Sequence, residues 1–231
     1  VTRSAESALG SLSDALPELG GSTTLPSKLH DLLEIAIING TLTPGERLHA
    51  DALAAHYGVS RIPVREALRS LHEAGWVDIK PRYGVRVRER TSRELAELFE
   101  FRAVVEGQVA LWAAERRTDH DIAALTAAVK ENQQASRADD RRLIGTTSAF
   151  YDALRAAAHN AVMEATSSSL EKRARFYFST VISELGEEWI HVHENLLELV
   201  RQRKAKRAAA LAQQHIVQTG EAVRLLLFGT G

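Results

Sequence analysis

The 231-residue chain contains no cysteine, which removes disulfides, thiolate metal sites and cysteine nucleophiles at once and fits a reducing compartment. Any metal would have to be held by nitrogen and oxygen ligands. Long apolar runs are also missing. Nothing approaches the ~20 residues that a bilayer core demands, and the longest candidate, Leu225 to Phe228, reads as a helix end. No membrane contact is expected. The first 23 residues lack a basic start followed by an apolar stretch, so they do not read as a signal peptide, and the cytoplasm is the expected location. An excess of charge of one sign is absent too, because 29 Lys and Arg stand against 30 Asp and Glu for a net charge of -1. That excludes a uniformly basic nucleic-acid binder and leaves room for a local basic patch. What the chain does have is 45% hydrophobic residues, enough to bury cores without staples.

The pattern changes twice along the chain. Residues 1–23 are rich in Ser, Ala, Gly and Thr without an apolar period, and a mobile tail is expected there. Residues 24–90 read as a winged helix-turn-helix. Leu29, Leu32, Leu33, Ala36 and Ile37 recur at helical spacing up to Asn39-Gly40. A Pro44-Gly45 turn follows, then a short helix through Leu53, Ala54 and Tyr57 closed by Gly58. Ser60 is placed to cap a third helix, whose first turn tolerates Pro63. Beyond Gly75 the period drops to two: Val77 and Ile79, then Val85 and Val87, alternate with polar residues around a turn at Pro81 to Gly84, the mark of a two-stranded hairpin. Residues 91–231 carry only helical periods, with breaks near Arg117-Thr118, Ala138-Asp139, His159-Asn160, Gly186 and Lys204. The expected fold is mainly α: the winged helix-turn-helix followed by an all-α helical bundle.

The third helix has two faces. Val64, Ala67, Leu68 and Leu71 form a core side, whereas Arg61, Arg65 and Arg69 lie four apart on a stripe the core does not claim. The hairpin adds Lys80, Arg82, Arg86, Arg88 and Arg90, so residues 60–90 hold eight basic side chains against four acidic ones. A short helix, a glycine turn and a helix with arginines near its start are what insertion into a major groove requires, since guanidinium forks match phosphates and guanine edges.

The run Leu42 to Val87, with Pro44-Gly45, Leu53-Ala54, Gly58-Val59-Ser60-Arg61, Pro63-Val64-Arg65-Glu66-Ala67-Leu68, Leu71, Gly75 and Gly84, closely resembles the DNA-binding domain of the GntR family. The resemblance implies that Ser60, Arg61, Pro63 and Arg65 meet an operator in double-stranded DNA, and that the turn Arg82, Tyr83, Gly84 enters the minor groove. Asp51 departs from the pattern. It lies where the resemblance places a DNA-contacting residue, and an acid there cannot bond phosphate.

The helical domain is similar to the FCD subfamily on Phe101-Arg102 with Glu106, Phe150 with Ala158-His159-Asn160, and His193 with His215. That resemblance implies a small-molecule effector, an organic acid, often beside a divalent metal; a homodimer is expected because one small DNA-binding module gives modest affinity and two half-sites read together give a usable specificity. Here two of the four metal-ligand positions are substituted: Thr147 stands for an aspartate and Tyr151 for a histidine. Threonine is a poor zinc ligand and tyrosine would have to ionise, so no metal is expected; if one binds, His193 and His215 would hold it, with a substitute such as His159. The effector contacts expected instead are Arg102, Thr147, Tyr151, His193 and His215. From the residues alone, Arg102 and Glu106 read either as a surface ion pair or as a carboxylate anchor facing a cavity. No nucleophile elbow, phosphate loop or usefully spaced carboxylate pair appears, so an enzyme is not expected. The alternatives are a helical domain that only dimerises or, remotely, a metal-dependent helical enzyme fused to a DNA-binding module.

Overall fold

Pro26 sits in the first turn of α1 (Leu25–Ile38), where an amide has no helical partner to lose. In the computed structural model, which describes residues 24–137, 143–184 and 188–229, the chain divides into two units with the boundary between Arg90 and Thr91. The tail expected over residues 1–23 and the breaks expected at Ala138-Asp139 and Gly186 lie outside the described residues. No described helix is long and apolar enough to cross a membrane.

In the first unit α1 is followed by β1 (Arg47–Leu48), α2 (Ala50–Tyr57), α3 (Arg61–Glu73), β2 (Val77–Lys80) and β3 (Gly84–Val87). Gly58 closes α2 at φ 65°, a conformation that costs a residue with a Cβ. Ser60 is the residue before α3, but its side chain makes no capping hydrogen bond. The expected hairpin is present and is joined by a third strand: the sheet is antiparallel in the order β1-β3-β2, with Leu48 opposite Val85 and Val77 opposite Val87. Two residues are too few to show alternation in a sequence, which is why β1 escapes a reading by period. The core of this unit is Leu29, Leu33, Ile37, Leu53, Val64, Leu68, Leu71 and Val77.

The second unit is helical: α4 (Ser92–Arg116), α5 (Asp119–Arg137), α6 (Leu143–Ala157), α7 (Ala161–Phe178), a 3-10 turn at Ile182–Glu184, α8 (Glu188–Arg201) and α9 (Ala205–Phe228). Thr91 caps α4 by accepting from the Glu94 amide, and Asn160 caps α7 by accepting from the Met163 amide. Helices α4 and α9 run antiparallel in close contact, because a Cβ on Gly107 would meet Gln213 and one on Gly220 would meet Phe99. Two arginines tie the ends of α4 and α8 together. Arg203 donates to the carbonyls of Glu115 and Arg117, and Arg117 donates to that of Arg201, so cations meet the electron-rich C-termini of both helices. This clasp holds in place the helices that carry Arg102 and His193.

Candidate DNA interface and buried pocket

On α3 burial separates the two faces seen in the sequence. Val64, Ala67, Leu68 and Leu71 are buried, whereas Ser60, Arg61, Arg65 and Arg69 are exposed and Pro63 is half-buried. Three exposed guanidinium groups therefore follow one helix from its first turn. Ile62 is 70% exposed in that same first turn, and no packing role accounts for so open an apolar side chain. Sequence periodicity passes over it because an isoleucine beside a core face reads as core. At the wing tip Arg82 adopts φ 67° and Gly84 φ 83°, and Arg82 and Tyr83 are exposed. Arg47 on β1, absent from the expected site, lies across Gly84, its Nε 3.3 Å from where a Cβ would stand. Arg86 is committed to structure: its Nη1 donates to the carbonyl of Gly45 at 2.8 Å. The basic residues of the wing thus divide between the surface and the fold.

In the helical unit Arg102 and Glu106 are not a surface pair. Arg102 is 2% exposed and Glu106 fully buried, with Nη2 and Oε1 3.5 Å apart. The Ser167 hydroxyl donates to Glu106 at 2.9 Å, and Arg155 pairs with Glu171 at 2.7 Å. Among the described residues Arg102 Nε and Glu106 Oε2 have no hydrogen-bond partner, and burial pushes the Glu106 carboxyl up from its ordinary range, against the opposing pull of Arg102. Arg102, Thr147, Tyr151, Glu171, Phe178, Ile216 and Thr219 line a cavity of about 10 Å³, room for roughly one water molecule. Three of the five expected effector contacts therefore share one wall. The two histidines do not line it. His193 adjoins through Tyr151, whose ring centroid is 5.5 Å away, and the His193 and His215 rings are 5.9 Å apart.

Asn132 on α5 organises this neighbourhood, and nothing in its local sequence marks it. Its amide nitrogen donates to the hydroxyls of Thr146 and Thr147 at 3.1 and 3.0 Å. Its oxygen, 3.0 Å from His193 Nδ1, must then accept, so His193 carries its proton on Nδ1 and Nε2 is the lone-pair nitrogen. Burial holds His193 well below its ordinary pKa, with His215 adding to the effect; burial and then Arg102 bring His215 down to about 4. Both rings are neutral near pH 7.

These residues do not fit a divalent metal. Burial raises the Tyr151 phenol above its usual value, keeping it a hydroxyl rather than an anionic ligand, and the Thr147 oxygen is already engaged by Asn132. His159 is engaged elsewhere, its Nε2 2.8 Å from Asp121. Among the described residues no group of three or more His, Asp or Glu is placed to hold an ion.

Comparison with known proteins covers both units. Residues 25–87 match the family described as bacterial regulatory proteins, gntR family, and residues 97–218 match the FCD domain. The Nta operon transcriptional regulator of Aminobacter aminovorans is 30% identical over 75% of this chain and 82% of its own length. The galactonate operon transcriptional repressor of Escherichia coli (strain K12) is 25% identical over 73% of this chain and 79% of its own. Among solved structures, E. coli McbR/YncC aligns with a TM-score of 0.76 at 25% identity, covering 90% of this chain and all of that one.

Proposed function

We propose, from the premise that this chain belongs to the GntR family of bacterial transcriptional regulators and carries an FCD domain, that it is a cytoplasmic repressor released from or fixed on its operator by an organic acid. In this reading residues 24–90 read DNA, and residues 91–231 bind the effector and form the homodimer. The observation that carries it is the exposed stripe Arg61, Arg65, Arg69 on a helix whose opposite side is fully buried, the form a major groove admits. Ser60 and Pro63 would approach the backbone, Ile62 would meet a thymine methyl, and Arg82, Tyr83 and Gly84 would enter the minor groove. The exposed Phe101 and Val104 on α4 supply apolar surface for a second copy, and two half-sites read together raise specificity above what one small module reaches.

For the effector, Arg102 is the carboxylate anchor, with Thr147 and Tyr151 as hydroxyl partners and His193 and His215 completing the polar wall once the cavity opens. The relative named for the galactonate operon points to the same chemistry, a hydroxylated carboxylate. A cavity with room for about one water admits such a molecule only by expanding, so the ligand would favour an opened state and shift the population toward it. The test of the DNA reading is affinity. Arg65→Ala should cost about 1–3 kcal/mol and relax base preference if it reads a base edge, or lower the salt slope by about 1 if it meets phosphate. Undiminished affinity in both Arg61→Ala and Arg65→Ala would place the recognition helix elsewhere. The effector is sought by thermal shift across hydroxy and dicarboxylic acids, since a ligand of the folded state raises its stability.

A further inference from the structure

Asp51 and Arg61 lie in the first turns of two consecutive helices, α2 and α3, with Oδ1 of the acid 2.9 Å from Nε of the guanidinium. The side chains are 67% and 63% exposed. An ion pair this open to water adds little to folding, because solvent weakens the attraction and ordering two side chains costs entropy. Its place is more informative than its strength. It puts a carboxylate at the start of the arginine stripe, among the basic residues of the unit, where an approaching phosphate is repelled.

The geometry points to Asp51 as a positioning residue for Arg61, one that sets sequence discrimination at the expense of general DNA affinity. This rests on the reading above that Arg61 meets DNA. The acid engages the Nε edge of the guanidinium and leaves the two terminal nitrogens, the pair whose parallel N–H groups match O6 and N7 of guanine. An arginine without such a tether turns to whichever phosphate is near, and phosphate contacts carry no sequence information. Tethering also offsets the positive charge that would otherwise displace counterions from any duplex. When DNA docks and water leaves, the attraction between the two groups grows as the local dielectric falls. The pair therefore counts for most in the complex, where orientation is read. A carboxylate at this position is thus compatible with DNA binding.

The test uses the full chain, a duplex that the wild type selects from a randomised pool, and a scrambled duplex of the same composition. Dissociation constants are compared over roughly 50 to 200 mM salt. Asp51→Ala is expected to bind the scrambled duplex about three- to tenfold more tightly with a salt slope steeper by about 1, and to lose about tenfold discrimination at one base pair. Asp51→Asn keeps an oxygen on Nε without the charge, so its scrambled binding should rise likewise while base preference is largely retained. In the Arg61→Ala background, Asp51→Ala should change discrimination no further, as for two residues acting through one contact. Unchanged discrimination in Asp51→Ala, together with lost discrimination in Arg61→Ala, overturns the positioning role and leaves the DNA reading standing. Wild-type behaviour of Arg61→Ala itself overturns the reading beneath it.

Discussion

The imidazole of His193 lies nearly parallel to the ring of Phe150, with centroids 4.2 Å apart and planes inclined by 23°. Phe150 fixes the plane of the ring and Asn132 fixes its rotation through Nδ1. A histidine held on two sides presents one defined nitrogen to whatever shares its neighbourhood. Phe150 was visible in the sequence as part of a motif; the reason for its pairing with this histidine is the stacking.

Asn132→Leu should destabilise the protein by about 1–3 kcal/mol, because it leaves the His193 Nδ1–H buried without its acceptor. The urea midpoint of the full chain measures this. The double variant Asn132→Leu/His193→Phe, which removes both partners, should recover part of the loss. No recovery would mean that Asn132 acts through Thr146 and Thr147 alone.

Acid should weaken the fold through the two histidines. With a folded pKa of about 4 against an ordinary value of 6.5, His215 binds fewer protons folded than unfolded between those limits. Its stabilising contribution is complete above about pH 6.5 and is lost as pH falls toward 4, at most roughly 3 kcal/mol. His193, lowered well below the same value, acts in the same direction. Denaturation midpoints at about pH 7 and about pH 5 should differ less in His215→Gln than in the wild type. An equal difference in both would assign the acid sensitivity to other groups.

The glycines of the α4–α9 contact should respond unequally. In Gly220→Ala the new methyl would lie 2.7 Å from Cβ and Cγ of Phe99, atoms fixed near the backbone, so a loss of about 1–3 kcal/mol is expected. In Gly107→Ala the obstacle is the Gln213 side chain, which is exposed and can swing away, and alanine's helix propensity returns up to about 1 kcal/mol. Thermal unfolding ranks the pair. A Gly107→Ala variant as unstable as Gly220→Ala would show that Gln213 is held.

Protein purified without a histidine tag and dialysed without chelator should carry no stoichiometric zinc, nickel or manganese, and added chelator should leave its thermal midpoint unchanged. Elemental analysis checks this directly. Near-stoichiometric metal that disappears in His193→Ala would overturn the description of the pocket as a direct organic-ligand site.

Helices, hairpin and arginine stripe were legible in the sequence because each is a property of neighbouring residues: the change of period after Gly75, the four-residue spacing of Arg61, Arg65 and Arg69, the left-handed Gly58. That Thr147 and Tyr151 stand at metal-ligand positions is what the family resemblance implies; their residue types alone say only that a hydroxyl and a phenol are poor ligands. What only the tertiary structure decided is who meets whom. Asn132 reaches His193 across 61 residues, Arg155 finds Glu171 rather than solvent, the Arg102–Glu106 pair goes inside, and Asp51 meets Arg61 across a turn. A polar side chain looks the same in a sequence whether water or a distant partner satisfies it, and the difference arises only when packing removes the water.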